Sequence, residues 1–151
     1  LYRGSRDGFG SSDFHKLCDN KEKTVVIVKN ASGHVFVALL QFLGQVLKDT
    51  WKQAPGSFLF TLTNKDRIQP TKFPLRDDND GHAMYYGASY GPIFGMNPHE
   101  IYISSVGYSN TVSYSNLSTY SDETHKGNTI FSSNINTTNF QVQDYEVFKV
   151  C

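Results

Sequence analysis

At 151 residues, with 38% hydrophobic and 14% aromatic content, the chain is long enough to bury a core as one domain, and its 19% charged residues exclude a charge-dominated disordered polymer. Its 14 Lys and Arg balance 14 Asp and Glu, so no global charge directs it to nucleic acid. No signal peptide is visible, and the longest apolar stretch, residues 35–47, is broken by Gln41, Gly44 and Gln45 and falls short of the roughly 20 residues that a membrane span requires.

In chain order, Ser11 and Ser12 are placed to cap a helix whose apolar face is Phe14, Leu17 and Cys18. The β-branched run from Thr24 to Lys29 predicts a strand, Asn30-Ala31-Ser32-Gly33 a turn, and His34 to Leu40 the returning strand of a hairpin. Leu39, Phe42, Leu43, Val46 and Leu47 continue at helical spacing, which leaves a short helix open there. Phe58 to Thr63 is a further strand. One of its parities stays apolar (Phe58, Phe60, Leu62) while the other turns polar after Leu59 (Thr61, Thr63). Pro70 and Pro74 bracket an extended piece, and residues 77–81 form an acidic turn. Met84-Tyr85-Tyr86 and Glu100 to Val106 predict strands. Residues 107–128, rich in Ser, Asn, Thr and Tyr, predict a long surface loop. Thr129 to Ser132 and Phe140 to Val150 complete the strands.

Many short strands with one or two short helices predict a mostly β (α+β) fold, a two-sheet antiparallel β-sandwich able to bury this many aromatics between facing sheets. No internal boundary is visible, so residues 1–151 are expected to be a single domain.

Charge is unevenly distributed along the chain. Residues 1–76 carry 12 Lys and Arg against 6 Asp and Glu, and residues 77–151 carry 2 against 8. Such a split either averages out in three dimensions or produces opposed patches that orient a partner. Cys18 and Cys151 are the only cysteines. Without a C-x-x-C spacing they imply neither zinc nor a disulfide framework, and they fit a reducing compartment.

Three constellations invite chemistry, and each meets a local objection. Gly87-Ala88-Ser89-Tyr90-Gly91 has the G-x-S-x-G spacing of a hydrolase elbow, with Asp122 and His125 following in order. However, Gly91-Pro92 and Gly95 disfavour the helix that must follow such a serine. Asp77-Asp78-Asn79-Asp80-Gly81 evokes a calcium loop, yet an EF-hand register puts Arg76 at the first ligand and Gly87 at the twelfth. The five histidines show no metal-ligand spacing. No cofactor and no metal are therefore expected. Cys18 offers a thiol for antioxidant chemistry, and the Tyr and Asn of residues 107–128 offer a surface for carbohydrate binding.

Four segments recur in an order that resembles the TLDc domain of oxidation-resistance proteins. They are Leu1 to Asp19, Ser57 to Asn64, Gly91-Pro92-Ile93-Phe94-Gly95 through Ser104, and Phe140-Gln141-Val142 with Tyr145-Glu146-Val147-Phe148. The resemblance spans nearly the whole chain, which starts at Leu1 inside the first of these motifs and is expected to be a fragment of a longer protein. It implies the same sandwich flanked by helices. It also implies a non-enzymatic, cytoplasmic protein-interaction module with a role in oxidative-stress resistance or in binding the vacuolar proton ATPase. The polar residues of the family-like segments are Arg3, Arg6, Asp7 and Glu146. By the parity of Phe140 and Val142, Glu146 points inward unless a bulge intervenes near Gln143-Asp144. An ion pair with Arg3 or Arg6, holding the N-terminal segment to the last strand, is then expected; a carboxylate in a cleft with a raised pKa is the functional alternative. The chain departs from the family after Val35-Phe36, where Val37-Ala38-Leu39-Leu40 replaces a Gly-Gly-Tyr-like run.

Overall fold

In the computed structural model, which describes residues 1–42, 49–77, 82–96, 100–104, 113–115, 117–126, 129–132 and 139–151, the central hairpin forms where the β-branched run predicts it. Strand β2 (Glu22–Asn30) pairs antiparallel with β3 (Val35–Phe42). Asn30 fixes the turn: its Oδ1 accepts the amides of Ser32 and His34, both at 3.0 Å, and Gly33 supplies the positive φ of 83° that the reversal needs.

The remaining elements are β1 (Tyr2–Arg3), α1 (Gly4–Asp7), α2 (Ser11–Cys18), β4 (Thr50–Lys52), β5 (Phe58–Thr63), β6 (Thr71–Pro74), β7 (Met84–Tyr86), β8 (Ile93–Phe94), β9 (Ile101–Tyr102), β10 (Ser113–Ser115), β11 (Asn139–Phe140) and β12 (Val142–Lys149). Among the described residues they form two six-stranded sheets, β1-β12-β2-β3-β5-β6 and β11-β10-β9-β8-β7-β4, antiparallel at every pairing. The architecture is the predicted two-sheet sandwich, with two short helices among the described residues.

Both sheets contribute to one core. Val26, Val28, Phe36, Leu59 and Phe73 of the first meet Met84, Tyr86, Phe94 and Ile101 of the second. Phe131 fills the space between strands, with its ring 4.9 Å from Phe36 and 5.6 Å from Phe73. Each such buried large side chain contributes about 1.5–3 kcal/mol relative to exposure.

Several expectations are corrected. Residues 140–150 are two strands on different sheets, because the chain crosses from the second sheet to the first at Gln141. Residues 129–132 are a tight turn closed by the Ser132 amide on the Thr129 carbonyl at 3.1 Å. The strand expected from Glu100 is only β9; Val106 lies outside the described residues. The loop expected over 107–128 contains β10 and the buried Thr119 and Tyr120, while residues 107–112, 116 and 127–128 lie outside the described residues. Leu39 and Phe42 belong to β3, and Leu43, Val46 and Leu47 also lie outside. The α2 cap is not a serine: the amide of Gly10 donates to Asp13 Oδ2 at 3.2 Å, the reach-back half of a capping box.

Five of the six strands of the first sheet (all but β12) come from residues 2–74, and five of the six strands of the second (all but β4) from residues 84–140. Even so, the uneven charge along the chain does not become a contrast between the sheets: Lys52 is the one charged residue on the described strands of the second sheet, and Asp144 and Glu146 of the acidic half lie on β12 of the first.

Candidate functional site

The N-terminal segment binds the last strand. β1 pairs with β12 so that Tyr2 faces Val147 and Arg3 faces Glu146, and Arg3 Nη2 forms an ion pair with Glu146 Oε1. A register shift between Val142 and Asp144 resets the parity of β12, so Tyr145 and Val147 point inward. Glu146 therefore lies on the outer face with 27% of its side chain exposed, against the inward orientation that uninterrupted parity predicts. Arg6 does not join that pair. It forks onto its neighbour Asp7, Nε to Oδ1 at 2.8 Å and Nη2 to Oδ2 at 2.7 Å, while the Arg3 amide donates to Asp7 Oδ2 at 2.8 Å. The Arg6 guanidinium, with the Arg3 amide, lowers the Asp7 pKa to about 2, opposite in direction to a carboxyl tuned for acid catalysis. Between them in sequence, the Ser5 amide and hydroxyl both donate to Asp144, at 2.9 and 2.6 Å. Of the four polar residues singled out, the structure joins Arg3 with Glu146 and Arg6 with Asp7.

Beneath this seam lies an aromatic knot. The Tyr2 hydroxyl donates to the Gly8 carbonyl at 2.5 Å, so the Tyr145 hydroxyl, 2.9 Å away, donates to Tyr2. The Tyr2 and Tyr145 rings lie 5.0 Å apart, and Phe14 of α2 meets Tyr2 edge-on at 5.8 Å. Burial raises the Tyr2 pKa to about 12 and that of Tyr145 further still.

Helix α2 is tied to the second sheet by His15. Its Nδ1 faces Asp19 Oδ1 at 2.8 Å, and the Tyr86 hydroxyl donates to the same oxygen at 2.9 Å. Its Nε2 faces the carbonyls of Gly87 and Tyr90 at 3.1 and 3.0 Å. Carbonyls only accept, so Nε2 carries a proton and has no lone pair to offer as a base.

This bears on the G-x-S-x-G segment. Gly87 to Tyr90 is a β-turn, closed by the Tyr90 amide on the Gly87 carbonyl at 3.0 Å, and it leads to β8 rather than to a helix. An Asp–His pair does lie against this turn, but it is Asp19 and His15, and it is spent on holding the turn. Asp122 Oδ1 accepts the amide and hydroxyl of Thr124 at 2.8 and 2.6 Å. The cavity beside the turn, lined by His15, Gly87 and Pro92, has a volume of about 10 Å³, no more than one water's worth. Cys18 is fully buried, and burial raises its thiol pKa to about 12. Of the calcium-like turn, Asp78 to Gly81 lie outside the described residues. Among the described residues no group of three or more His, Cys, Asp or Glu could hold a metal, and no helix is long and apolar enough to cross a membrane.

Sequence reasoning missed Glu100. It is fully buried, Ser118 donates its amide to Oε1, and Tyr120 donates its amide to Oε2 at 3.1 Å. Burial raises the carboxyl pKa to about 7 against those hydrogen bonds. The only local signal was an acid at the head of the alternating run Ile101-Tyr102-Ile103.

The outer face of the first sheet was missed as well. Cross-strand register aligns Phe148, Val25, Leu39, Phe58 and Pro74 in one row, and Glu146, Ile27, Val37, Phe60 and Lys72 in the next. In β5 the parity that stays apolar, Phe58, Phe60 and Leu62, faces outward, while Leu59 and Thr61 are buried.

A two-sheet antiparallel sandwich whose N-terminal segment closes on its last strand is the class of domain these observations define. The chain belongs to the TLDc domain family, matching it over residues 1–151. No curated protein matches the chain.

Proposed function

We propose that this TLDc domain is a cytoplasmic, non-enzymatic protein-interaction module whose partner is the vacuolar proton ATPase, acting in oxidative-stress resistance. Family membership supplies the class of function. The observation that carries an interaction role is the set of exposed cations on the first sheet. The first sheet, built largely from the cation-rich half of the chain, exposes Lys23, Lys29 and Lys72, none of which forms an ion pair among the described residues. A cluster of exposed cations of this kind orients an acidic partner before contact. His15 and Cys18 support the non-enzymatic side. A protonated Nε2 is not a base for a nearby hydroxyl, and a buried thiol with a raised pKa is not a nucleophilic thiolate.

The test is retention. The domain is immobilised, exposed to lysate of its own cells at low and moderate salt, and the bound proteins are identified by mass spectrometry. Proton-pump subunits are expected at low salt and lost as salt rises. Retention independent of ionic strength would refute the electrostatic account, and absence of pump subunits would refute the partner. The enzymatic alternative is checked in parallel by hydrolase assays on the Ser89→Ala variant, where unchanged turnover would remove Ser89.

A further inference from the structure

We propose that the outer face of the first sheet is the docking surface for an amphipathic helix whose apolar stripe is flanked by acidic residues. This rests on the reading of the domain as an interaction module and names where the partner sits and what chemistry it presents.

The sequence of β5 gives the first reason. A strand on the surface of a sandwich normally turns its more apolar parity to the core. Here Phe58, Phe60 and Leu62 face outward, with Leu62 46% exposed, while Thr61 is buried. Apolar residues continue on the outer face of β2 and β3, whose inner parity (Val26, Val28, Phe36, Ala38, Leu40) is apolar too. Val25 and Ile27 of β2, and Val37 and Leu39 of β3, are only partly covered, and Phe148 of β12 is 44% exposed. Register makes these residues contiguous, two adjoining rows running from β12 to β6. Scattered apolar residues on a surface carry no message, but a continuous patch does.

Dimensions favour a helix as the occupant. Five strands at about 4.8 Å spacing make each row about 19 Å long, the length of a helix of roughly 13 residues. Two rows separated by one pleat repeat, about 7 Å, with their side chains, match a helix diameter of about 10–12 Å.

Charge selects the flanks. Lys23 precedes Val25 and Lys29 follows Ile27, so a lysine lies on either side of the rows, and Lys72 closes the β6 end with its ammonium 4.3 Å from the centre of the Phe58 ring. The carboxylates on this face are already engaged. Glu146 pairs with Arg3, and Asp144 accepts from Ser5 and from the Tyr145 amide at 2.9 Å. Asp144 keeps its charge opposite Lys29, but Lys23, Lys29 and Lys72 outnumber it, so the balance of charge offered around the apolar rows is positive, and its complement is a helix with Glu or Asp beside its apolar stripe.

The test uses a labelled synthetic peptide with a leucine stripe at helical spacing flanked by glutamates, and a control in which the glutamates are lysines, with binding read by fluorescence anisotropy. The glutamate peptide is expected to bind the intact domain and the lysine peptide not to. Leu39→Glu should weaken the glutamate peptide by about tenfold or more, and Lys29→Glu with Lys72→Glu should reverse the preference between the two peptides. Phe148→Ala, at a more exposed position, should weaken binding with unchanged melting, which guards against a Leu39→Glu variant that fails to fold. No binding of the glutamate peptide, or equal binding by every variant, would overturn the proposal. So would self-association of the domain that Leu39→Glu abolishes, since that assigns the face to a second copy. A domain that ignores the peptide yet retains proton-pump subunits would sink this surface and leave the partner standing; peptide binding without pump subunits would do the reverse.

Discussion

The buried carboxylate of Glu100 accepts the backbone amide of Tyr120, twenty residues further on, at 3.1 Å, and with the Ser118 amide on its other oxygen it anchors residues 118–120 against β9. Gly95 makes room for it: at a φ of 74°, a Cβ on this residue would overlap the Glu100 side chain. The Tyr120 hydroxyl completes the anchor by donating to the Ala83 carbonyl at 2.8 Å.

A pH dependence follows. The Glu100 pKa rises from 4.5 when unfolded to about 7 when folded, because burial disfavours the charge. Between those values the folded chain holds a proton that the unfolded chain has released, so stability falls as pH rises. The contribution is fully present below pH 4.5 and is lost through about pH 7, to the extent of about 3 kcal/mol. Urea midpoints should therefore drop between about pH 5 and pH 8. Glu100→Gln should flatten that slope, and at the acid end it should already cost about 1–3 kcal/mol, because its amide group sets a donor against a backbone donor. Parallel slopes in the two proteins would show that another group sets the pH dependence.

The two tyrosines of the N-terminal knot should respond unequally to loss of a hydroxyl. Tyr2→Phe leaves both the Gly8 carbonyl and the Tyr145 hydroxyl without their partner, a cost of about 1–3 kcal/mol. Tyr145→Phe removes only the bond to Tyr2, which still donates to Gly8, and should cost about 0.5–1.5 kcal/mol. Chemical denaturation of the two variants orders them; a larger loss for Tyr145→Phe would reverse the donor assignment.

How far these relationships could be read beforehand depended on the range of the forces behind them. The hairpin of β2 and β3 was legible because a β-branched run and an Asn-to-Gly turn act within a few residues. The sandwich was legible because so many aromatics need two facing sheets. Strands β1, β4, β8 and β11, of two or three residues, carry no periodicity, and their positions are set by partners far along the chain. Glu146 was misjudged in its simplest reading because a single bulge inverts every later side chain in β12. Glu100 looked like any surface acid, since the amides that hold it belong to residues 118 and 120. In β5 the alternation was visible, but nothing local indicates which parity faces the core.

Cys18 and Cys151 should differ sharply toward thiol reagents. Cys18 is fully buried with its pKa raised to about 12, whereas Cys151 is exposed. At mildly alkaline pH the folded domain should therefore label at one thiol, and the second should react only on unfolding, since the thiolate is the reactive form. Cys18→Ser should keep the fold but lose about 1–3 kcal/mol by burying a stronger hydrogen-bonding group in the same apolar site. Equal labelling rates in the folded domain would restore Cys18 as a redox candidate.

The Arg3–Glu146 pair is half-exposed on its arginine side, and exposed pairs contribute about 0.2–1 kcal/mol. Arg3→Ala and Glu146→Ala should each lower stability by that small amount. The double variant should lose less than the sum, because either change alone already breaks the pair. Raising salt should shrink the effect, as screening weakens a surface interaction but hardly touches the Tyr2–Tyr145 knot below it. Thermal melts of the three variants at two salt concentrations decide the matter. If either single variant abolished partner retention while melting like the parent, the pair would belong to the binding surface, and its role in closing β1 onto β12 would be secondary.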